Sequence, residues 1–343
     1  MSYTNGLDKP TDYFNTVLYT GNGSTQSITG VNFQPDFNWI KHRNGTSWHT
    51  LTDSVRGISK NLFSNETNAE VTNALRILSF DSDGLTVGND VNNSGNTYVA
   101  WNWLADNTSG SSNTDGSITS TVSANTTSGF SIVSWTGTGA TGTIGHSLGV
   151  APSMIIIKNR SSAYDWTVGH NSLGWSNVVF LNLTTASQGD TQFNSTAPTS
   201  SVFSIGTPLM ANKSVDSIIA YCFAEKKGFS KFGSYVGTNS GANGPFIYTG
   251  FKPAFILIKN TTGAADWHIR DNKRDTYNAS THFLLPNLTD AEVTLGEAID
   301  ILSNGFKIKA NGFKVQDSGN TYIYMAFAEN PFVTSTGIPA CAR

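Results

Sequence analysis

Apolar positions along this chain come in short bursts rather than in long helical stripes. Residues 154–157 are a continuous, mostly β-branched run, and residues 37–41 and 255–259 alternate or stay apolar over five positions. The segments TYVAWNW, SIIAYCF and TYIYMAF end at Trp103, Phe223 and Phe327. Bursts of this length predict strands, and an unbroken one suits a strand buried on both faces. Turn signals such as Gly21-Asn22-Gly23, Ser82-Asp83-Gly84 and Ser303-Asn304-Gly305 bracket them. Helical spacing is best over residues 289–302, where Ala291, Val293, Leu295, Ile299 and Leu302 are interspersed with acids and predict a short helix or helical turn.

The bursts recur. QPDFNWIKHRNGTSWHTLTD begins at Gln34, APSMIIIKNRSSAYDWTVGH at Ala151, and KPAFILIKNTTGAADWHIRD at Lys252. Each holds a proline six positions before a lysine: Pro35 and Lys41, Pro152 and Lys158, Pro253 and Lys259. A tryptophan follows the lysine by seven or eight positions, at Trp48, Trp166 and Trp267, and a polar residue follows that, at Asp53, His170 and Asp271. A glycine-rich hairpin signal precedes each proline, and copies one and three share Ser-Gly-Asn-Thr-Tyr at 94–98 and 318–322. Self-similarity of this kind marks tandem supersecondary units.

The pattern predicts an all-β chain of three tandem β-sandwich, jelly-roll-like modules with at most short helices. Module 1 spans residues 1–104, module 2 residues 129–226, and module 3 with a C-terminal tail residues 227–343. Residues 105–128, rich in Ser, Thr, Asn and Gly, read as a linker, flexible in part, with an edge strand over 117–123. Because modules 2 and 3 are joined almost directly, they are expected to pack as a rigid pair, with module 1 more independent. The recurring tryptophans are expected to plug cores. The recurring lysines are expected to mark where a buried strand surfaces and the ammonium snorkels into water.

Composition narrows the function classes. The chain has 343 residues, of which only 13% are charged, and a net charge of −3. That balance gives no reason to expect nucleic acid or an acidic membrane as partner. No apolar stretch reaches the roughly 18 residues of a membrane helix. The first ten residues lack a positive, apolar signal-peptide pattern. The two cysteines, Cys222 in an apolar run and Cys341 beside the terminus, suggest neither a disulfide framework nor a zinc site.

Chemistry-bearing motifs are weak. Gly145-His146-Ser147-Leu148-Gly149 matches G-x-S-x-G, but a β run follows where a nucleophile elbow needs a helix. None of the six histidines pairs at i, i+4, and His170 replaces the aspartate of the other copies, which speaks against a shared metal site. Asp81-Ser82-Asp83-Gly84 opens like a calcium loop without the closing glutamate. The many Asn-x-Ser/Thr triplets are what this composition yields by chance. The expectation is therefore no catalytic residue, no cofactor, no metal and no enzyme activity. The repeated positions Pro35, Lys41, Trp48, Pro152, Lys158, Trp166, Pro253, Lys259 and Trp267 are expected to be structural.

Several long phrases carry a resemblance: YTGNGSTQSITG, PDFNWIKHR, GFSIVSWTGTGATGTIGHSLGVAPSMIIIKNRS, FSKFGSYVGTNSGANGPFIYTGFKPAFILIKN and TYIYMAFAENPF. They resemble a module family of tailed bacteriophages that recurs in tail-fibre-like and other virion proteins. The resemblance implies a β-sandwich component of the particle surface, foremost a tail-fibre or adhesin part contacting the host. The alternative is a capsid or tail decoration or cap protein without receptor binding, and a surface-polysaccharide depolymerase comes third. The implied partners are other virion proteins, a host surface glycan and copies of itself as a homotrimer, with no nucleic acid and no membrane insertion. The implied location is the virion, assembled in the host cytoplasm and released by lysis. Unlike a long fibre, the chain has no heptad run or Gly-X-Y shaft.

Overall fold

The computed structural model describes residues 7–309 and 315–339. Among the described residues strand follows strand, and the longest helix, α1 (Leu209–Asn212), is a single turn. Module 1 contributes β1 (Phe14–Thr20), β2 (Gln26–Thr29), β3 (Phe37–His42), β4 (Thr50–Asp53), β5 (Lys60–Phe63), β6 (Val71–Thr72), β7 (Ile77–Asp81), β8 (Gly84–Val87) and β9 (Thr97–Trp103). Next come β10 (Ser111–Asn113) and β11 (Ser120–Asn125), then module 2 with β12 (Phe130–Thr136), β13 (Gly142–Gly145), β14 (Met154–Asn159), β15 (Thr167–His170), β16 (Asn177–Phe180), β17 (Gln188–Gly189), β18 (Val202–Ile205) and β19 (Ser217–Phe223). Module 3 has β20 (Ser230–Val236), β21 (Phe246–Tyr248), β22 (Phe251–Asn260), β23 (Trp267–Asp271), β24 (Ser280–Phe283), β25 (Val293–Leu302), β26 (Gly305–Ile308) and β27 (Thr321–Pro331).

Each module pairs a large antiparallel sheet with a small one. The large sheets share one order: β1-β9-β3-β4-β5, β12-β19-β14-β15-β16 and β20-β27-β22-β23. The small sheets are β2-β8-β7, β13-β18 and β21-β26-β25-β24. Each large sheet is apolar on both faces because alternate residues serve two cores. Ile40 and Ala100 face the sandwich interior of module 1, while Trp39 and Trp101 face the opposite way. Ile155 and Ile157 alternate with Met154 and Ile156 in the same manner, as do Ile256 and Ile258 with Phe255 and Leu257.

The second face of every large sheet meets the other two modules in one central core. Trp103, Phe223 and Phe327 hold the same register position, opposite Phe37, Met154 and Phe255. They also touch one another, with ring centroids 6.3, 5.7 and 6.0 Å apart. Three equivalent residues in mutual contact define a pseudo-threefold axis. The modules thus close as a head-to-tail ring, the intrachain counterpart of a cyclic trimer. Module 1 is as deeply engaged as the others, so the expected rigid pair with a looser third module gives way to a symmetric arrangement.

Two further expectations change. Residues 105–128 are built into the fold: β10 and β11 extend the large sheet of module 2 to β10-β11-β12-β19-β14-β15-β16-β17. The strand expected at an edge over 117–123 is β11 at Ser120–Asn125, and it is interior, because β10 pairs along its outer side. Little apolar burial holds this segment. Instead Asp36 accepts from the Ala105 and Asn107 amides at 2.7 and 3.0 Å, and Ser123 donates to Asp106 at 2.6 Å. The helix expected over 289–302 is strand β25, joined to β26 through Ser303-Asn304. The tight turn and the alternation of Ile299 and Ile301, both 1% exposed, override the looser 3.6-residue spacing.

Candidate functional site

Side chains with chemical potential concentrate on the three seams between modules. Their equivalence follows from register: Phe37 pairs with Asp53, Met154 with His170, and Phe255 with Asp271. Four residues before these lie His49, Trp166 and Trp267, each at most 1% exposed. Trp48 is therefore not the counterpart of Trp166 and Trp267. It is 41% exposed, rests on Phe63 at 4.7 Å between ring centroids, and stands where the other copies have Asp165 and Asp266. Trp166 and Trp267 are buried plugs whose indole N–H groups donate across the seam to the Phe63 and Phe180 carbonyls, both at 2.8 Å. At the third seam His49 takes this place, and its imidazole accepts from the Trp39 indole at 3.0 Å.

The lysines do not snorkel. Lys41, Lys158 and Lys259 are all fully buried. Each ammonium reaches a threonine carbonyl of the neighbouring module: Lys41 to Thr289 at 3.0 Å, Lys158 to Thr67 at 2.8 Å, and Lys259 to Thr184 at 2.9 Å. Burial pushes Lys41 and Lys158 down to about 8, so both stay charged at neutral pH and need those carbonyls. The prolines that precede them, Pro35, Pro152 and Pro253, are buried as well. Pro253 sits at a β-bulge in β22, where the ladder can spare its missing N–H.

The receiving side of each seam is an Asn-x-Thr triplet. Asn65, Asn182 and Asn287 accept from the backbone amides of His49, Trp166 and Trp267, all at 2.9 Å, and Thr67, Thr184 and Thr289 follow two residues later. These triplets were readable as a fourth repeated feature downstream of each tryptophan. They are hidden among the many chance Asn-x-Ser/Thr triplets of so polar a chain.

Two seams carry buried ion pairs and the third does not. Asp53 binds Arg56 at 2.5 Å and the hydroxyl of Tyr221 from module 2 at 2.7 Å, and Arg56 extends to Glu70, which clamps Arg160 of module 2. Asp271 likewise binds Arg274 at 2.6 Å and the indole of Trp101 from module 1 at 3.1 Å, and Arg274 extends to Glu292, which clamps Arg43. At the seam between modules 2 and 3 the corresponding residues are His170, Leu173, Ser187 and Thr261. Here Tyr221 and Trp101 are matched by Met325, which offers no donor, and His170 bonds the neighbouring Tyr324 carbonyl at 3.3 Å. The two seam solutions are complete sets, each internally satisfied.

Burial pushes His170 down to about 4, and its Nδ1 accepts from the Ser172 amide, which leaves Nε2 to donate. Its folded value lies below the ordinary 6.5, so the stability it supports is full above pH 6.5 and is lost as pH falls toward 4. Asp36, raised by burial to about 6, acts with the opposite sign, losing stability as pH rises through the same window. The His170→Gln variant keeps a donor toward Tyr324 and isolates the imidazole. Relative to it, the natural protein should lose about 3 kcal/mol between pH 7 and pH 4 in urea titrations. A constant difference across that range would refute the assignment.

Chemistry elsewhere is sparse. Asp275 accepts from His282 Nδ1 at 2.6 Å and from the Ser280 hydroxyl at 2.9 Å. The serine bonds the carboxylate rather than the imidazole, so no nucleophile–base pair is formed. Although burial alone would raise it, the bonds from His282 and Ser280 hold the Asp275 carboxyl below its usual range. Ser147 follows β13 in a loop, where its hydroxyl accepts from Asn113 at 2.9 Å. Its neighbour His146 is buried and bonds the Thr199 carbonyl at 3.2 Å. Cys222 is buried in β19, and Cys341 lies outside the described residues. Among the described residues no three His, Cys, Asp or Glu side chains gather in a metal-binding group. No described helix is long and apolar enough to cross a membrane.

At β21 module 3 exposes aromatic side chains where β2 and β13 have small residues. Phe246 and Tyr248 are 48% and 55% exposed, beside a cleft of about 170 Å³ lined by Glu225, Lys227, Lys231 and Thr249. Tyr277, in the loop before β24, is 80% exposed.

No curated protein matches this sequence. A family described as a domain of unknown function, DUF7483, matches residues 9–331, a span that takes in all three modules together. That one family unit covers the whole ring agrees with modules that share a core, and the chain belongs to the DUF7483 family.

Proposed function

We propose that this chain is a structural protein of a bacteriophage particle, displayed on its surface as a tail-fibre or adhesin component that contacts the host. The phrases that resemble virion modules support this reading, and the observation that carries it is the contrast between scaffold and surface. The lysine–threonine contacts of the seams and the aromatic positions at the axis recur in all three modules, whereas the exposed loops and strand edges diverge, with exposed aromatics at Trp48 in module 1 and at Phe246, Tyr248 and Tyr277 in module 3. Recognition residues on variable loops held by a rigid β scaffold are a recurrent solution for surface attachment. The partners proposed are other virion proteins and a host surface glycan. Purified chain should bind host cells and compete with phage adsorption; failure of both would sink the reading.

The pseudo-threefold ring favours a second reading, a cap or decorating protein seated on a threefold position of the particle. One polypeptide then supplies the arrangement that a homotrimer supplies with three. A density map of the particle separates the two by position and copy number.

A further inference from the structure

Among the described residues β21 has a neighbouring strand on one side only, in the order β21-β26-β25-β24. The Ile308 amide bonds the Pro245 carbonyl and the Thr249 amide bonds the Asn304 carbonyl. Residues 245, 247 and 249 therefore bond inward to β26, and the N–H and C=O groups of Phe246 and Tyr248 face outward. Ile28, Ile144 and Ile247 occupy matching positions, opposite Leu85, Phe203 and Phe306. Phe246 and Tyr248 thus stand where β2 has Ser27 and Thr29 and where β13 has Thr143 and Gly145.

In module 2 this same edge is already occupied. Residues 116–118 lie parallel to β13, with Ile118 beside Ile144. The Ile118 amide donates to the Thr143 carbonyl at 3.0 Å, the Ser117 amide to Thr143 Oγ1 at 2.9 Å, and the Thr143 amide to Ser117 Oγ at 2.9 Å. Only glycine allows so close an approach at position 116, where a Cβ would sit 2.3 Å from the Thr143 carbonyl oxygen. Module 2 has this segment because residues 105–128 precede its first strand. The few residues before β20 are used in a turn, with the Phe229 and Ser230 amides bonded to the Lys226 carbonyl. They leave nothing to lay along β21.

We propose that the outer edge of β21 accepts an extended segment of a partner protein, added parallel at Phe246 as residues 116–118 add at Thr143. Main-chain bonds to Phe246 supply the affinity of strand addition, and the side chains flanking the strand supply its selectivity. In module 2 Ser117 meets Thr143 and Ile118 lies beside Ile144, so the segment brings a hydroxyl residue to Phe246, its oxygen accepting from the Phe246 amide, and a β-branched apolar residue beside Ile247. Tyr248 stands where Gly145 admits Asn113, so the added strand ends before it and packs against its ring. The Glu225–Lys231 pair, 2.6 Å apart, lies in the adjoining cleft with Lys227 and receives a polar or charged end. This inference rests on repeat geometry alone and does not depend on the virion reading.

The test uses the full chain and a synthetic peptide with the sequence of residues 113–121, NTDGSITST. Amide exchange of the labelled protein should show the Phe246 amide protected at least about tenfold at saturating peptide. A control peptide carrying Gly116→Val, whose side chain would strike the Phe246 carbonyl as it would strike that of Thr143, should give no protection. Absence of protection at the Phe246 amide at millimolar peptide, or equal protection by the control peptide, overturns the proposal. Concentration-dependent dimerisation that itself protects the Phe246 amide, with the peptide inert, overturns it in favour of a second copy as the occupant.

Discussion

Trp103→Ala should lower the stability of the whole chain by about 3–5 kcal/mol, the cost of emptying a packed aromatic site that cannot collapse. Its ring lies 4.8 and 5.2 Å from Phe14 and Phe37 of its own module, 6.3 and 6.5 Å from Phe223 and Phe130 of module 2, and 5.7 Å from both Phe255 and Phe327 of module 3. The void therefore opens at the point where all three large sheets meet, and all three modules should lose stability together. Trp103→Phe copies the residue that modules 2 and 3 use there. The indole N–H of Trp103 has no hydrogen-bond partner, so phenylalanine forfeits volume and no bond. That variant should cost well under half as much as alanine. Urea titrations followed by circular dichroism and by tryptophan fluorescence should move together in both variants. A Trp103→Ala chain in which only part of the signal is lost early would show that module 1 unfolds alone.

The second large effect is expected at Arg56. Arg56→Leu leaves the Asp53 carboxylate buried beside Tyr221 with its guanidinium removed, and a buried charge stripped of its partner costs about 3–5 kcal/mol. The seam between modules 2 and 3 shows how the same place is filled without charge, by His170, Leu173, Ser187, Thr261 and Met325. Writing that set into the first seam, as D53H, R56L, E70S, R160T and Y221M together, should restore most of the stability that Arg56→Leu removes. Recovery by the full set but not by its parts is the signature of coupled neighbours. If the five-fold variant were no more stable than Arg56→Leu, the seams would not be interchangeable solutions to one packing problem.

Much of this fold was legible in the sequence, and the misreadings share a cause. The strands, the three copies and the Pro–Lys spacing follow from local pattern, because alternation and turn residues are local facts. The register of copy one was misjudged by a single position. Trp48 matched by residue type, but His49 matches by place, and a shift of one residue exchanges a buried face for an exposed one. The lysines were assigned to water because a single module offers nothing to receive them. Their acceptors come from other modules: Lys41 and Thr289 lie 248 residues apart. Ring closure, the buried charge sets and the role of the Asn-x-Thr triplets all depend on such distant pairs, which no periodicity reports. The exposed edge of β21 was hidden for the opposite reason, since its open state depends on the absence of a segment that only module 2 possesses.

Closure also bears on function. Seams made of buried ammonium, indole and guanidinium groups hold the modules in one fixed arrangement. Variation is therefore free to accumulate on loops and edges without disturbing the frame. The proposed role at a particle surface, with variable partners, needs that separation.

The central claim is that three modules fold as one closed unit. Scanning calorimetry of the full chain tests it most directly, by comparing the measured unfolding enthalpy with the van't Hoff enthalpy of the transition. A closed ring with a shared core predicts one transition in which the two enthalpies agree for the entire chain. Two or three resolved transitions, each with the enthalpy of a single module, would contradict it.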